Sequence, residues 1–500
     1  MKFTFGFITN QYYYIMTLKL NKLHLASNSV NLSIHLNLPD QSIFDLPEKV
    51  LQFGTGVLLR GLCDYFIDKA NKKGIFNGRI VVVKSTDKGD ADDFNEQDGL
   101  FTHAVKGIEN GQAIEEYILN ASISRTISAR TQWQEILDCA KNPEMQVVIS
   151  NTTEVGIAFL ENDKITNNPP SSFPVKLLAF LHERWKFFEG SAASGMVIVP
   201  TELVVGNGDL LREIVLQQAQ KNNLELEFID WLKTHNNFCN SLVDRIVPGK
   251  PEKKMVSDLQ TKFGYEDDLM VLSEVYRQWA IQGDEHVRKV LSFAQADSGV
   301  IIEKNIEIYR ELKLRMLNGT HTLQCGMSYL LGFRTVKDVM ANSYLSRIIM
   351  NLMLGEIALA IPYKIDSKVK DRFGRMVLDR FRNPFLNHKL LDISVQYTTK
   401  MKMRNIPILL QYYREFGKPP ELFAMGFAAY LQFMKGEKEV NGTYYGESNG
   451  SYYPINCNFA PYFYEAWQDF NLDKVLANRS LWGEDLTQLD GFADAVRKYL

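Results

Sequence analysis

Three polar residues in one short stretch have the types and spacing that an alcohol–ketone hydride transfer needs. Lys313, Asn318 and His321 follow a K-x4-N-x2-H pattern in a segment whose apolar residues recur at helical intervals. On an α-helix turning about 100° per residue, Asn318 lies roughly 140° from Lys313, and His321 lies between them at roughly 80°. Such a reaction needs a base for the hydroxyl proton and donors for the oxygen as charge builds on it. Taken alone, the stretch is more typical of an ordinary amphipathic helix.

A glycine turn upstream is where a hydride carrier would bind. Residues 49–53 predict a buried strand, Gly54 and Gly56 follow it, and residues 57–73 predict a helix. A strand, a glycine turn and a helix are the context of a dinucleotide fingerprint, in which the backbone approaches a pyrophosphate at the helix N-terminus. The third glycine of the G-x-G-x-x-G pattern is replaced by Leu59. The G-x-G pair is therefore a weak signal without its context.

The residues after the next predicted strand bear on the choice of cofactor. Residues 79–83 predict this strand, which closes a strand–helix–strand unit. The Asp or Glu that usually reads the adenosine ribose is absent there, and Lys84 and Ser85 stand in its place. These two residues could meet the 2′-phosphate of NADP, or they could belong to a solvated loop. NAD and NADP both stay open on this evidence.

Two further predicted strands complete an α/β pattern. Residues 145–150 run into Asn151, Thr152 and Glu154, a polar cluster at the carboxyl end of a strand, where doubly wound sheets bind their ligands. Residues 195–200 lead to Glu202 and Asn207. Helical periodicity at residues 174–188 lies between these strands, and strands that alternate with helices predict a parallel sheet.

The second half of the chain predicts helices, one of them over residues 367–381, and carries a basic run. Arg380, Arg382 and His388 lie close together, and further cations follow at Lys400, Lys402 and Arg404. In a chain of slightly negative charge, this run could receive a substrate carboxylate. Upstream, Asp244 precedes Arg245 in an apolar element, as either a structural ion pair or a substrate-facing pair. Residues 444–464, rich in Asn, Gly, Ser and Tyr, predict a long surface loop.

Composition excludes several classes of function. The 500 residues hold 56 Lys and Arg against 59 Asp and Glu, a net charge of −3 that offers no field for nucleic acid or an anionic membrane. No apolar run reaches the length of a membrane span. Five separated cysteines and eight scattered histidines predict a reduced, cytoplasmic protein without a metal site. Residues 1–45 predict an N-terminal extension without the features of a secretory signal.

Together these segments resemble the mannitol dehydrogenase family of long-chain, zinc-independent polyol and sugar-acid dehydrogenases. The resemblance rests on Q-F-G-T-G at residues 52–56 with Arg60, on the Lys313, Asn318 and His321 triplet, and on R-F-R-N-P at residues 380–384. It extends over residues 46–492. It implies a Rossmann-type domain at residues 46–300, a mostly α-helical domain at residues 301–500, and an active site in the cleft between them.

The family's residue roles carry over by motif. The resemblance implies that Lys313 is the general base toward the alcohol and the acid toward the ketone, while Asn318 and His321 hold and polarise the reacting oxygen. The implied cofactor is NAD, with NADP still open. The implied cofactor-binding residues are Phe53, Gly54, Gly56, Arg60, Asn151, Thr152 and Glu154. The implied substrate-binding residues are Asp244, Asn207, Arg380, Arg382 and His388.

The implied reaction is the reversible reduction of tagaturonate to altronate in hexuronate catabolism, by a monomer or small homo-oligomer whose partner is a small sugar acid. Fructuronate reduction and mannitol oxidation are the alternatives within the family, and the basic run disfavours a neutral hexitol. A sensor that kept the fold without catalysis is an alternative from another class, since fold does not determine function. An intact catalytic triplet argues against the sensor.

Overall fold

A parallel β-sheet and a large helical region divide the chain between them. The computed structural model describes residues 18–26, 36–85, 91–152 and 156–500. The strands are β1 Leu18–Lys19, β2 Leu36–Asn37, β3 Glu48–Phe53, β4 Arg79–Lys84, β5 Phe101–Glu109, β6 Gln112–Asn120, β7 Ile123–Ser128, β8 Val147–Ser150, β9 Val197–Pro200, β10 Asn237–Phe238, β11 Ser241–Asp244, β12 Tyr265–Glu266, β13 Val271–Ser273, β14 Gln278–Gln282, β15 Val300–Glu303, β16 Lys438–Val440, β17 Thr443–Ser448 and β18 Ser451–Pro454.

Helices connect the strands in the first part of the chain and dominate the rest. The α-helices are α1 Lys22–Ala26, α2 Val57–Gly61, α3 Cys63–Asn71, α4 Ala91–Glu96, α5 Trp133–Cys139, α6 Phe173–Phe187, α7 Asn207–Lys221, α8 Leu226–His235, α9 Lys253–Phe263, α10 Glu285–Val290, α11 Glu307–Glu311, α12 Thr320–Leu330, α13 Val336–Ala341, α14 Ser343–Asn351, α15 Ser367–Phe381, α16 Leu390–Ser394, α17 Tyr397–Lys400, α18 Ile406–Phe416, α19 Glu421–Phe433, α20 Ala460–Ala466, α21 Leu472–Leu476, α22 Arg479–Trp482 and α23 Phe492–Arg497. Three segments are π-helical, Leu312–Gly319, Leu352–Ile357 and Met401–Asn405, and short 3-10 turns occur at Gln41–Asp45, Ala192–Ser194, Ser292–Ala296, Ala358–Ala360 and Leu486–Gln488.

The main sheet is parallel throughout, with strand order β10-β9-β8-β3-β4-β7. Its central strands are mostly apolar and buried because helices cover both faces. β3 pairs with β4 on one side and β8 on the other, so Phe53 aligns with both Val83 and Ser150. The chain direction across the sheet reverses at β3, which opens a crevice at the carboxyl ends of β3 and β8. The predicted Rossmann-type sheet is confirmed.

Two smaller sheets extend this half of the chain toward the helices. One has the order β13-β5-β6-β2, and the other has the order β11-β14-β15. The described part of the predicted N-terminal extension packs against the first of these sheets. β2 pairs with β6, β1 pairs with β12, and Leu20, Leu36 and Ile43 are buried in a shared apolar cluster. These segments therefore add to the core of the β-rich half.

After β15 the chain is mostly helical, as predicted, around one large apolar core. The prediction of a surface loop at residues 444–464 was wrong. These residues form β17, β18 and α20, and β17 pairs antiparallel with both β16 and β18. Asn441-Gly442 and Asn449-Gly450 have positive φ angles and form the two tight hairpin turns. Asn-Gly pairs favour such turns, so the sequence did contain a signal for this hairpin arrangement.

Two helices predicted from the sequence have different outcomes. The helix predicted at residues 57–73 is broken at Leu62, whose φ of −133° and ψ of −70° are not helical, so α2 and α3 are separate. The helix predicted over residues 367–381 is confirmed as α15. No described helix has both the length and the apolar character that crossing a lipid bilayer requires.

Candidate active site

A cavity of about 200 Å³ lies where the β-rich half meets the helical half. Lys313, Asn318 and His321 line it from the helical half, together with Arg380, and Asp244 lines it from the end of β11. At about 30 Å³ per water molecule, the space corresponds to roughly seven waters, which suits a small molecule. We call it the Lys313 cavity. It brings together the triplet, Asp244, Arg380 and His388 from among the polar residues that the sequence singled out.

The helix that carries the triplet is wider than predicted at its start. Residues Leu312–Gly319 are π-helical and continue into α12. In a π-helix the hydrogen bonds join residues five apart, so Lys313 and Asn318 lie nearly above one another instead of roughly 140° apart. The expected α-helical angles were therefore wrong here, and the wider turn brings the amine and the amide closer to one face.

Tertiary contacts hold the π-helical segment in place. The guanidinium of Arg315 donates to the carbonyls of Met403 and Arg404 at 2.7 and 2.9 Å, and the Asn405 amide donates to the Gly319 carbonyl at 3.0 Å. These partners lie in a second π-helical segment, Met401–Asn405. Packing between the two segments thus supports a geometry that local propensity does not favour.

Lys313 is held from the side of β11. Its Nζ donates to the Val243 carbonyl at 3.0 Å and lies 3.4 Å from Oδ1 of Asp244. An ammonium has three N–H donors, so these contacts leave one for the cavity. The side-chain amide of Asn318, also half-buried, has no hydrogen-bond partner among the described residues. Lys313 and Asn318 thus each leave at least one N–H donor to a bound oxygen.

Asp244 and Glu274 both bind the Arg380 guanidinium. Asp244 accepts from Nη1 at 2.8 Å and from Nη2 at 3.1 Å, and Glu274 accepts from Nε at 3.1 Å and from Nη2 at 2.8 Å. Burial acts to raise the pKa of Asp244, but Arg380 and Lys313 outweigh it and lower that pKa. Burial raises the pKa of Glu274 against the opposing effect of Arg380. Sequence analysis missed Glu274, because no motif surrounds it.

The side chains of Asp244 and Arg245, which are adjacent in the sequence, contact different parts of the protein. Asp244 faces the Lys313 cavity, whereas Arg245 donates to the carbonyls of Gly61 and Glu274 and lies over the Tyr65 ring. Successive strand residues point to opposite faces, which explains the division. The substrate-facing alternative for Asp244 therefore agrees with its position better than a pair with Arg245.

His321 is enclosed between rings. Its imidazole stacks on Phe381 with centroids 4.1 Å apart and meets His388 edge-on at 5.0 Å. Burial lowers the pKa of His321 well below its usual value, and the cations nearby act in the same direction. The imidazole is therefore neutral near pH 7 and carries one N–H donor. Its buried Nδ1 has no hydrogen-bond partner among the described residues.

A second cavity, of about 410 Å³, lies at the crevice of the main sheet. Gly54, Gly56, Asn151 and Thr152 line it, as do Ser85 and other residues, and we call it the glycine-turn cavity. Gly54 has a φ of +130°, and a Cβ there would lie 2.9 Å from the Asn151 carbonyl oxygen. A Cβ on Gly56 would meet nothing within 4 Å, so the backbone at this turn is open to a ligand.

The glycine-turn cavity fits a dinucleotide in two further respects. Ser85 lies directly after β4, where the adenosine ribose is read in such folds, and its buried Oγ has no hydrogen-bond partner among the described residues. Lys176, which sequence analysis missed, adds a buried ammonium that donates to the Ser171 carbonyl at 2.8 Å. Thr152 is positioned by Glu202, whose Oε1 accepts from its N–H at 2.9 Å.

The other predicted cofactor residues lie elsewhere. Phe53 is fully buried against Phe173, behind the turn. Arg60 is buried too, and its guanidinium donates to the Thr55 carbonyl at 2.9 Å and lies over Phe94. Both residues support the glycine turn from below and do not line its cavity. Glu154 lies outside the described residues.

Only part of the predicted substrate set lines the Lys313 cavity. His388 does, as do Asp244 and Arg380. Arg382 lies in a groove on the opposite side of α15, 3.5 Å from Asp379. Asn207 is buried, and its amide donates to the carbonyls of Pro200, Glu202 and Ser241, so it ties β9 to β11.

The later cations of the basic run are engaged outside the cavity lining. Lys400 donates to the Ile393 carbonyl, Lys402 to the Ser480 carbonyl, and Arg404 to the Thr322 hydroxyl. Lys337 lines the cavity instead, and sequence analysis gave no reason to select it. Across the described residues, no group of three or more His, Cys, Asp or Glu side chains is placed to hold a metal ion.

Comparison with known proteins agrees with this arrangement over nearly the whole chain. Residues 48–294 match the mannitol dehydrogenase Rossmann domain, and residues 305–500 match the mannitol dehydrogenase C-terminal domain. Altronate oxidoreductase from Halalkalibacterium halodurans is 37% identical over 470 residues, which cover 91% of this chain and 90% of that protein. Altronate oxidoreductase from Bacillus subtilis is 36% identical over 460 residues, which cover 91% of this chain and 92% of that protein.

Solved structures share the fold at low sequence identity. Mannitol 2-dehydrogenase from Pseudomonas fluorescens, in a ternary complex with NAD and D-mannitol, superposes with a TM-score of 0.65 at 23% identity, over 96% of both chains. D-sorbitol dehydrogenase in its substrate-free form superposes with a TM-score of 0.76 at 20% identity, over 96% of both chains. The two-part architecture is therefore shared.

Proposed function

The chain belongs to the mannitol dehydrogenase family, and on that premise we propose that it reduces tagaturonate to altronate, reversibly, with NADH. It is an oxidoreductase that acts on CH–OH groups with a nicotinamide cofactor. The names of its relatives, altronate oxidoreductases, support the choice of substrate. The observation that carries the proposal is the convergence of Lys313, Asn318 and His321 in one small cavity beside Asp244 and Arg380.

The cavity residues divide the chemistry among them. When bound, the reduced nicotinamide supplies the hydride that the carbonyl carbon accepts. Lys313 delivers the proton to the carbonyl oxygen through the N–H that Val243 and Asp244 leave to the cavity. Asn318 and the neutral His321 donate hydrogen bonds to the same oxygen, so they stabilise the negative charge that develops there. In the reverse direction Lys313 takes the hydroxyl proton as a general base.

Asp244 and Arg380 set the geometry of this exchange. Asp244 orients the Lys313 ammonium from one side while it binds Arg380 at two points. Asp244 and Arg380 are both buried, so this ion pair keeps one arrangement while the proton moves at Lys313. A base that is fixed at hydrogen-bond distance from the reacting oxygen contributes far more than a mobile one.

The residues of the glycine-turn cavity support a dinucleotide cofactor and bear on the choice between NAD and NADP. Gly54 and Gly56 let the backbone approach the pyrophosphate, and the Oγ of Ser85, which has no partner within the described part of the chain, is available to the adenosine ribose. We propose NAD, because a serine hydroxyl can bind a ribose hydroxyl. Lys84 beside it could favour the phosphate of NADP, so both cofactors belong in the test.

A side-by-side assay tests the proposal. The purified protein is mixed with tagaturonate, fructuronate or fructose, each with NADH and with NADPH, and loss of the near-ultraviolet absorbance of the reduced nicotinamide is followed. The expected result is the highest kcat/KM for tagaturonate with NADH. A higher kcat/KM for fructuronate or fructose would make that compound the substrate in place of tagaturonate. No turnover with any of the three would favour the non-catalytic sensor.

A further inference from the structure

The charged groups around the Lys313 cavity nearly cancel, with one exception. Asp244 and Glu274 carry two negative charges, and they contact Arg380 and, through Asp244, Lys313. Two cations are therefore matched by two carboxylates. Arg380 donates hydrogen bonds from Nε, Nη1 and Nη2 to these two carboxylates. Little of the guanidinium remains to bind an additional carboxylate.

Lys337 is the exception among the cations that line this cavity. No carboxylate lies within 4.0 Å of its Nζ in the part of the chain that the structure describes. Its Nζ donates instead to the Pro384 carbonyl at 3.2 Å, which leaves two N–H donors. The Lys337 side chain is half-buried, so its ammonium can attract an anion in the cavity without the full desolvation cost of a buried charge.

Lys337 and Lys313 line the cavity from different structural elements. Lys313 is held by β11, whereas Lys337 is held by the segment after α15. The N–H of Val336 donates to the His388 carbonyl at 3.0 Å, so the start of α13 is fastened to the same segment. His321 contacts His388 in that segment. Lys313 and Lys337 therefore line the same cavity from different parts of the chain.

We propose that Lys337 binds the carboxylate of a sugar-acid substrate and so selects acids over neutral polyols. The inference rests on the proposed function, because it takes the reacting ketone to lie at Lys313. In a ketouronate the carboxyl group is at the far end of the carbon chain from that ketone, so a substrate with its ketone at Lys313 presents its carboxylate to another part of the same cavity, which Lys337 also lines. A charge-assisted hydrogen bond from an ammonium without an acidic partner is a strong donor for such a group.

Binding measurements test this without requiring turnover. Titration calorimetry in the presence of NAD compares altronate with the neutral hexitol altritol, on the wild type, Lys337→Met and Lys337→Arg. The wild type is expected to bind altronate more tightly than altritol. Lys337→Met should weaken altronate binding by about tenfold to a hundredfold and leave altritol binding unchanged, and Lys337→Arg should retain most of the preference. Lys402→Met is the matched control, because Lys402 lies outside the cavity.

The outcomes separate the two proposals. If Lys337→Met weakens altronate and altritol equally, or weakens neither, Lys337 does not read the carboxylate and the inference is overturned. If the wild type binds altronate with a Lys337-dependent preference yet reduces no ketouronate, the inference stands and the proposed reaction fails. Equal binding of altronate and altritol by the wild type would also overturn the inference.

Discussion

Asp244 and Arg380 join the two halves of the chain through a two-point ion pair in the wall of the Lys313 cavity. The Nη1–Oδ2 distance is 2.8 Å and the Nη2–Oδ1 distance is 3.1 Å, and both side chains are buried. Asp244 ends β11 and Arg380 lies near the end of α15, so 136 positions separate them. The same carboxylate contacts Lys313. The pair thus couples the docking of the halves to the position of the proposed base.

Removal of this carboxylate should damage both stability and catalysis. Asp244→Asn keeps the shape but leaves Arg380 and Lys313 with one acid between them, and an uncompensated buried charge costs about 3–5 kcal/mol. We expect a clear fall in the free energy of unfolding, measured by chemical denaturation, and a loss of kcat. Asp379→Asn is the control, because Asp379 pairs with the partly exposed Arg382 and should cost at most about 1 kcal/mol. Equal losses in the two variants would contradict the special role of Asp244.

Lys313→Met should abolish most of the chemistry and spare cofactor binding. The methionine keeps the aliphatic length but cannot transfer a proton, and general acid–base catalysis by one group contributes about a hundredfold to ten-thousandfold. Steady-state kcat should fall within that range, while the dissociation constant for NADH, measured by fluorescence titration, should stay within about twofold. Lys402→Met should behave as the wild type. A Lys313→Met variant with near wild-type kcat would show that another group moves the proton.

The glycine turn offers a matched pair of substitutions. Gly54→Ala places a Cβ 2.9 Å from the Asn151 carbonyl oxygen at a φ of +130°, whereas Gly56→Ala meets no protein atom within 4 Å. Backbone strain of this kind costs about 1–3 kcal/mol, so Gly54→Ala should be destabilised by at least that amount. Gly56→Ala should unfold at nearly the wild-type denaturant concentration.

Cofactor affinity then distinguishes a binding turn from a merely structural one. If a pyrophosphate approaches the backbone at Gly56, Gly56→Ala should lose affinity for NADH in a titration even though its stability is unchanged. Retained affinity in Gly56→Ala would mean that the turn does not contact the cofactor closely.

The buried His321 should make the protein sensitive to mild acid. Burial lowers its folded-state pKa well below the usual value, so the unfolded chain, with a pKa of about 6.5, takes up the proton first as the pH falls. The stability contributed by the neutral imidazole is therefore present above about pH 6.5 and is lost below it. Between roughly pH 7 and pH 5, the unfolding free energy of His321→Gln should therefore fall less than that of the wild type.

Denaturation curves at several pH values measure this difference. The exposed His235 provides the control, since His235→Gln should follow the wild-type dependence. Identical acid sensitivity in His321→Gln and the wild type would mean that other groups account for the loss.

The sequence was sufficient for several of the helices and strands and for part of the site. Apolar runs of strand length and helical periodicity predicted β3, β4, β8, β9, α6 and α15 to within about three residues, because burial imposes these patterns locally. The Lys313, Asn318 and His321 spacing and the glycine turn were visible for the same reason. Each lies within one short stretch of chain, so its residue types and spacing are preserved whatever surrounds it.

Only the tertiary structure decided which distant charges meet. Glu274 has no motif around it, yet it binds Arg380, and Lys337 faces the same cavity from the start of α13. Arg382, two residues from Arg380, follows α15 and lines a different groove. Local patterns predict periodicity, whereas ion pairing depends on which faces of remote elements pack together. The π-helical turn that aligns Lys313 with Asn318 is likewise supported by contacts with residues 403–405, far along the chain.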